Sequence, residues 1–238
     1  VVGLQKISDW SDSPCVVAAS GPSLTREAAE NIRRAQFRGW KVIAVNDAYK
    51  LLRGADILYA ADLRWWRSQD GAKAFLGERW CCKDYLEPPD AERIADARRF
   101  NLSLIGVKFS AGFSTNPDYL HTGDEAHSGF QAVNLALLLG SPRVVLIGYD
   151  MRTVDGQSHF FGDHPEGLRS WFQKAHPDKY YASWVRAYKP DARIVNATPG
   201  SAITCYERQD LDEALRWNDR VHRDGTLADA GADRHSAA

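Results

Sequence analysis

Four cysteines and one methionine in 238 residues leave little sulfur chemistry to build on. The cysteines, Cys15, Cys81, Cys82 and Cys205, lack the paired spacing of a zinc site, and they read as packing thiols of a reduced, cytosolic protein rather than a disulfide framework. No run approaches the ~20 apolar residues needed to span a bilayer, and the first residues carry no secretory-leader pattern, so the expectation is a chain without a membrane span. Thirty Lys and Arg against 31 Asp and Glu give a formal charge of −1. No global basic field therefore announces a nucleic acid, although a local groove stays open. Gly-x-Gly-x-x-Gly and Gly-Lys-Ser/Thr are both missing after the first apolar run, which excludes the dinucleotide fingerprint and the P-loop. No Gly-x-Ser-x-Gly elbow is present and Cys81-Cys82 has no neighbouring histidine, so nucleophilic catalysis has little support. No internal repeat is visible.

What remains is a strand-and-helix alternation. The chain predicts strands at Cys15–Ala19, Lys41–Val45, Asp56–Ala61, Arg79–Cys82, Leu102–Val107, Arg143–Gly148 and Ala192–Asn196. Between them it predicts a helix capped by Ser23 or Thr25 and running to about Arg38, then helices over Ala48–Leu52, Gln69–Leu76, Glu92–Arg99, Ser128–Leu139, Ser170–Tyr188 and Asp210–Arg223. Ser110–His127 and Thr153–Gly167 read as loops. Such alternation argues for an α/β, Rossmann-like architecture. The expected form is a single domain over 1–223 with a mostly parallel sheet flanked by helices. Lid-like segments at 63–124 and 153–190 would cover the carboxyl edge, and 224–238 would be a disordered tail. The helix from Ser128 is apolar on nearly every face, as for a helix buried on several sides. Trp65, Trp66, Trp171 and Trp184 sit in polar company, where a stacking platform and a core role are both open.

Polar residues stand just past the strand ends: Ser20, Asn46, Asp62, Asp150 and Asn196. In an open parallel sheet those ends share one rim, where ligands bind. The plainer reading is that each caps a helix or turn. Ser20-Gly21-Pro22-Ser23 follows the first strand and His127-Ser128-Gly129 opens the apolar helix, so both offer backbone N–H groups to an anion. His127 would orient that loop or cap the helix. Arg152, four residues past Gly148, has the planar fork for a phosphate, or is a solvated surface arginine. Ser158-His159-Phe160-Phe161-Gly162-Asp163-His164 places two imidazoles five residues apart, with an ordinary pKa of about 6.5 suited to taking a hydroxyl proton near neutrality. A metal held by this pair with Asp163 or Asp150 lacks a convincing third ligand, so no metal is assigned.

Taken in order, these residues resemble bacterial sialyltransferases that use a CMP-activated sugar. The shared marks are Gly21-Pro22-Ser23-Leu24, Asn46, His127-Ser128-Gly129, Gly148-Tyr149-Asp150, the His159–His164 loop and Thr198-Pro199-Gly200-Ser201. The departures are His127 where Asn is expected, Arg152 where a phosphate-binding Tyr is expected, and Asp163 inserted before His164. The Gly-Pro-Ser-Leu turn also resembles proteins related to 6-hydroxymethylpterin diphosphokinase and to motility accessory factors. The His-Ser-Gly, Gly-Tyr-Asp-Met and Gly-Asp-His-Pro series is similar to that of uncharacterised tailed-phage proteins, which implies the host cytoplasm as the setting. The resemblance implies a metal-independent glycosyltransferase with no tightly bound cofactor. Ser20, Gly21, Pro22, Ser23, Asn46, Asp62, His127, Ser128, Gly129, Asp150 and Ser201 would hold a nucleotide-sugar donor. Arg152 would meet the leaving phosphate, and His159 or His164 would be the base. The acceptor is open: a glycan or a modified DNA base. The alternatives are a pyrophosphokinase-like enzyme with Mg²⁺ on Asp62 and Asp150, and a non-catalytic nucleotide-binding phage protein.

Overall fold

The computed structural model describes residues 8–82, 91–109, 112–122, 127–162, 164, 184 and 193–216. Among the described residues nine strands form one sheet, and every pairing in it is parallel. They are β1 (Cys15–Ala18), β2 (Lys41–Val45), β3 (Ile57–Tyr59), β4 (Glu78–Cys82), β5 (Leu102–Phe109), β6 (Tyr119–Thr122), β7 (Val144–Ile147), β8 (Ile194–Asn196) and β9 (Glu207–Arg208). The spatial order is β6-β5-β4-β3-β2-β1-β7-β8-β9. The first six strands step outward from β1 on one side. The chain then crosses back and lays β7 on the other side of β1, so the order reverses between β1 and β7. The α/β, Rossmann-like expectation holds, and the sheet is wholly parallel.

The period of two along each strand divides the core into two layers. Val16, Ala18, Val42, Ala44, Leu58, Val145 and Ile147 face α1 (Arg26–Gln36), α2 (Leu63–Ser68) and α3 (Ala91–Phe100). Cys15, Val17, Ile43, Val45, Tyr59, Val144 and Leu146 face α4 (Ser128–Leu138). Strands buried on both faces need apolar residues at every position, which is why β1 reads Cys-Val-Val-Ala and β7 Val-Val-Leu-Ile. In α4 every residue from Gly129 to Ala136 is buried. Its two polar members are satisfied: Gln131 accepts from the Tyr59 hydroxyl (2.8 Å), and the Asn134 Oδ1 accepts the N–H groups of Ser114 (2.9 Å) and His121 (2.8 Å).

Several expectations change. The described residues of the 63–124 segment supply α2, α3 and three strands, β4, β5 and β6, that extend the sheet. Within it the helix lies at Leu63–Ser68 rather than Gln69–Leu76, because Asp62 caps it and the indoles of Trp65 and Trp66 go into the core. The expected helix at 48–52 is a 3₁₀ turn over Asn46–Lys50. Strand β6 lies inside the expected 110–127 loop, and β9 was unforeseen; both are short edge strands with weak patterning. The Ser170–Tyr188 helix, apart from Trp184, and the tail from 224 lie outside the described residues. The last described helix, α5, is Leu211–Ala214. Among the described residues no helix is long and apolar enough to cross a membrane.

Candidate functional site at the carboxyl edge

The strand order reverses between β1 and β7, and the crevice expected beyond the carboxyl ends at such a switch point is where open parallel sheets bind ligands. The β1 turn and the β7 turn close on each other there. The Gly21 N–H donates to the Gly148 carbonyl (2.9 Å), and the Ala19 N–H to the Ile147 carbonyl (2.9 Å). Gly148 has φ +75°, and a side chain there would strike the Ala19 carbonyl. At Gly21 a Cβ would strike the Asp150 carboxylate and the Gly148 carbonyl. Both glycines are therefore demanded by close backbone approach.

The Ser20–Ser23 turn is not the open cradle of amides that was expected. The Asp150 Oδ2 accepts the Ser23 N–H (3.2 Å) and the Ser23 hydroxyl (2.7 Å), while the Leu24 and Thr25 N–H groups go to Gly21 and Ser23 carbonyls. Thr25, not Ser23, caps α1, accepting from the Ala28 N–H. Asp150 is buried, with 2% exposure. The point expected to hold a phosphate is thus taken by a buried carboxylate, whose charge disfavours an anion there. The Ser20 hydroxyl donates to the Val45 carbonyl at the end of β2 (3.0 Å).

Two residues on this rim hold the left-handed region without being glycine: Asn46 (φ 50°) and Met151 (φ 52°). Such strain, costly for a residue with a Cβ and most of all for one outside the Asn and Asp types, concentrates at functional sites. Beside Asn46, the buried Asp47 accepts the Trp65 indole N–H (2.9 Å) and pairs with Lys50 (2.5 Å). The Lys50 ammonium lies 5.4 Å from the centre of the Phe161 ring. Asp47 and Lys50 went unread in the sequence; the signal was an acid and a base three apart on the turn after Asn46.

The histidine loop reaches the crevice through its backbone: the Phe160 N–H donates to the Ser20 carbonyl at 3.0 Å. The His159 and His164 rings are 4.4 Å apart, centre to centre. Phe161 stacks on His159 (5.0 Å, 16°) and meets His164 at 5.1 Å. Asp163 lies outside the described residues.

His127 is the N-cap of α4. Its Nδ1 faces the Phe130 N–H (3.3 Å) and its Nε2 faces the Trp184 indole N–H (3.2 Å). Both partners are donors, and a neutral imidazole has one acceptor nitrogen, so a given tautomer satisfies one of them. Burial of the ring pushes its pKa down to about 4. Trp184 is enclosed by Phe130, Tyr149, Tyr206 and His127. With Trp65 and Trp66 it belongs to the core and forms no exposed stacking platform; Trp171 lies outside the described residues. Gly129 leaves room for His127 and Tyr149, and the Tyr149 hydroxyl donates to its carbonyl (3.0 Å). Ser128 accepts the Ala61 N–H through its hydroxyl (3.2 Å), which ties the start of α4 to the end of β3.

The remaining residues divide between structure and rim. Asn196 is spent on the Thr198 N–H and the Ile203 carbonyl (both 3.1 Å), and the Ser201 hydroxyl on the Tyr149 carbonyl (2.6 Å). They lock the β8 turn against the β7 turn. Arg152 is exposed and gives its Nε–H to the Gly200 carbonyl (2.7 Å). Asp62 caps α2 and clasps Arg64. Its strand, β3, lies three places from β7, about 14 Å at the usual spacing, so Asp62 and Asp150 do not share one cation. Among the described residues no group of three or more His, Cys, Asp or Glu could hold a metal ion. A cleft of about 450 Å³ past β3 and β4, lined by Asp62, Arg64, Arg67, Glu92 and Arg93, was not foreseen.

Set against protein-family models, curated proteins and solved structures, the chain matches none of them.

Proposed function

We propose that the chain is a glycosyltransferase that binds a nucleotide-sugar donor, of CMP type, at the β1/β7 crevice and passes the sugar to an acceptor hydroxyl. The observation that carries this reading is the bond from the Phe160 N–H to the Ser20 carbonyl. It supports a reading in which the imidazole pair on that loop serves the crevice where an α/β sheet takes its ligand. The Asp150–Ser23 pair favours a ligand rich in hydroxyl or amino donors, as a nucleoside is. The leaving phosphate falls to Arg152, whose Nε is held by Gly200, with Lys50 beside the Phe161 ring of the histidine loop. His159 or His164 removes the acceptor proton, a contribution of about 10²–10⁴-fold, while positioning and charge neutralisation supply the rest. No tightly bound cofactor is needed, and the cytoplasm of a phage-infected host is the setting that the reading implies.

One observation favours a second reading. Asp150 is a buried carboxylate with no cation on it among the described residues, and Mg²⁺ is commonly held by one carboxylate together with substrate phosphates. That would be a pyrophosphokinase-like transfer. Thermal shifts with CMP, CDP, UDP, GDP and ATP, each with and without Mg²⁺, separate the two. A ligand at 100 times its Kd adds about 2.7 kcal/mol. Stabilisation by a cytidine or uridine nucleotide without metal supports the transferase, and stabilisation by ATP only with Mg²⁺ supports the kinase. Binding without turnover of any donor and acceptor leaves a nucleotide-binding phage protein.

A further inference from the structure

We propose that Arg208 is a second phosphate ligand of the donor: with Arg152 it makes a two-guanidinium site on the Gly200–Ser201 turn. This rests on the donor reading above and adds to it a residue and a place for the phosphate. Parallel pairing with β8 sets Arg208 opposite Asn196, the last residue of that strand. Arg208 therefore stands on the carboxyl rim, as does Arg152 in the turn after β7. The two arginines meet consecutive carbonyls. Arg152 gives its Nε–H to Gly200 (2.7 Å), and Arg208 gives an Nη2–H to Ser201 (2.5 Å). The turn that carries them is fixed to the crevice: the Ser201 hydroxyl donates to the Tyr149 carbonyl, and the Ala202 N–H to the Asp150 carbonyl (3.0 Å). Gly200 leaves room for the guanidinium, since a Cβ there would fall 2.6 Å from the Arg152 Nη2.

Both arginines are exposed, and among the described residues neither has a carboxylate partner. One carbonyl holds each fork, and its other N–H groups are open to a ligand. The carboxylates of adjoining elements are engaged elsewhere. Asp150 takes the Ser23 amide and hydroxyl, and Asp210 caps α5. Glu207 accepts from the Gln209 side chain (2.5 Å) and, one residue from Arg208 along β9, points to the other face of the sheet. Charge is thus sorted along the rim. The buried Asp150 carboxylate suits a neutral nucleoside with hydroxyl and amino donors, and the guanidinium pair on the next turn suits the anion that follows it. The transfer itself calls for a second cation. As the bond from the anomeric carbon to the phosphate oxygen breaks, its electron pair stays on that oxygen, the acceptor oxygen bonds the carbon, and the acceptor proton passes to the histidine. The phosphate goes from one negative charge to about two at neutral pH, its second pKa being about 6. Two guanidinium groups favour the departing phosphate over the bound donor, which is where added charge stabilisation speeds the reaction.

The test is calorimetric titration of cytidine, CMP, CDP and inorganic pyrophosphate into the full chain, in wild type, Arg208→Gln and Arg152→Gln. Glutamine removes the charge and keeps a polar side chain. CMP binds the wild type more tightly than cytidine does. Each substitution weakens CMP about tenfold, as loss of a hydrogen bond to a charged group requires, and leaves cytidine unchanged. A preference for CDP over CMP that disappears in Arg208→Gln assigns Arg208 to the outer phosphate, and equal losses for the two assign it to the inner one; either bears the proposal out. CMP affinity indifferent to Arg208→Gln, or the same loss for cytidine as for CMP, overturns the proposal and leaves the donor reading standing. No binding of any cytidine compound to the wild type overturns both. Pyrophosphate binding that depends on Arg208 would in that case make the turn an anion site with no cytidine donor. Thermal melting followed by circular dichroism confirms that both variants are folded.

Discussion

The Asp150 carboxylate takes both the amide and the hydroxyl of Ser23, joining the turn after β7 to the turn after β1. Two strand ends far apart in sequence become one wall of the crevice, and the wall carries an acceptor group. Asp150→Asn keeps the shape and removes the charge. If a nucleoside donates to this carboxylate, the variant binds CMP about 10- to 100-fold more weakly, the range of a hydrogen bond to a charged group. Calorimetry with CMP checks it. Unchanged affinity would place the nucleotide elsewhere.

The imidazole pair predicts a kinetic split. His159→Ala or His164→Ala, whichever is the base, lowers kcat by about 10²–10⁴-fold with little change in donor KM. The other variant has a smaller effect, through the loss of its ring contact. Sugar transfer that survives both substitutions would remove the base from the mechanism.

His127 gives a pH dependence of stability. Its folded pKa, about 4, lies below its ordinary value of 6.5, so the unfolded chain binds the proton more readily. The stability that follows is fully present above pH 6.5 and is lost as the pH falls toward 4. Its size is on the order of 3 kcal/mol for a ring this enclosed. His127→Asn preserves an N-cap and flattens that part of the curve. Urea midpoints measured between pH 4 and 7.5 in both proteins report the difference. A parallel decline in the variant would assign the loss to other groups.

The close approach of the two turns predicts that Gly21→Ala is costly. The added methyl meets the Asp150 carboxylate and a backbone carbonyl, neither of which can rotate away cheaply. A loss of about 1–3 kcal/mol is expected, together with weakened nucleotide binding. Gly54→Ala, where a Cβ meets nothing within 4 Å, is the matched control. Equal stability of the two variants would contradict the packing described.

Asn134 is fully buried and holds the 112–122 segment through three hydrogen bonds, to the Ser114 N–H, the His121 N–H and the Ser114 carbonyl. Asn134→Ala strands two amides and a carbonyl, each costing about 1–3 kcal/mol when buried. Hydrogen exchange should show the strongest loss of protection at β6. Uniform loss across the sheet would instead point to a global effect.

Strands β1, β2 and β7 were legible in the sequence because strands covered on both faces must be apolar at every position, and Gly or a polar residue marks where each ends. The burial of α4 was legible for the same reason. So was the expectation that Ser20, Asn46, Asp62, Asp150 and Asn196 share one rim, since parallel strands put their carboxyl ends together whatever their order. The order itself was not legible. Only the sheet sets β7 beside β1, which turns Asp150 onto Ser23 and fills the turn expected to hold a phosphate. Only the sheet sets β3 three places from β7 and so parts Asp62 from Asp150, because local sequence carries no record of which strand lies next to which. The fate of the tryptophans was decided there too. Trp65 and Trp66 stand among arginines along the chain, yet α2 turns their rings inward, where Asp47 and the Ala60 carbonyl accept the indole N–H groups that would otherwise forbid burial.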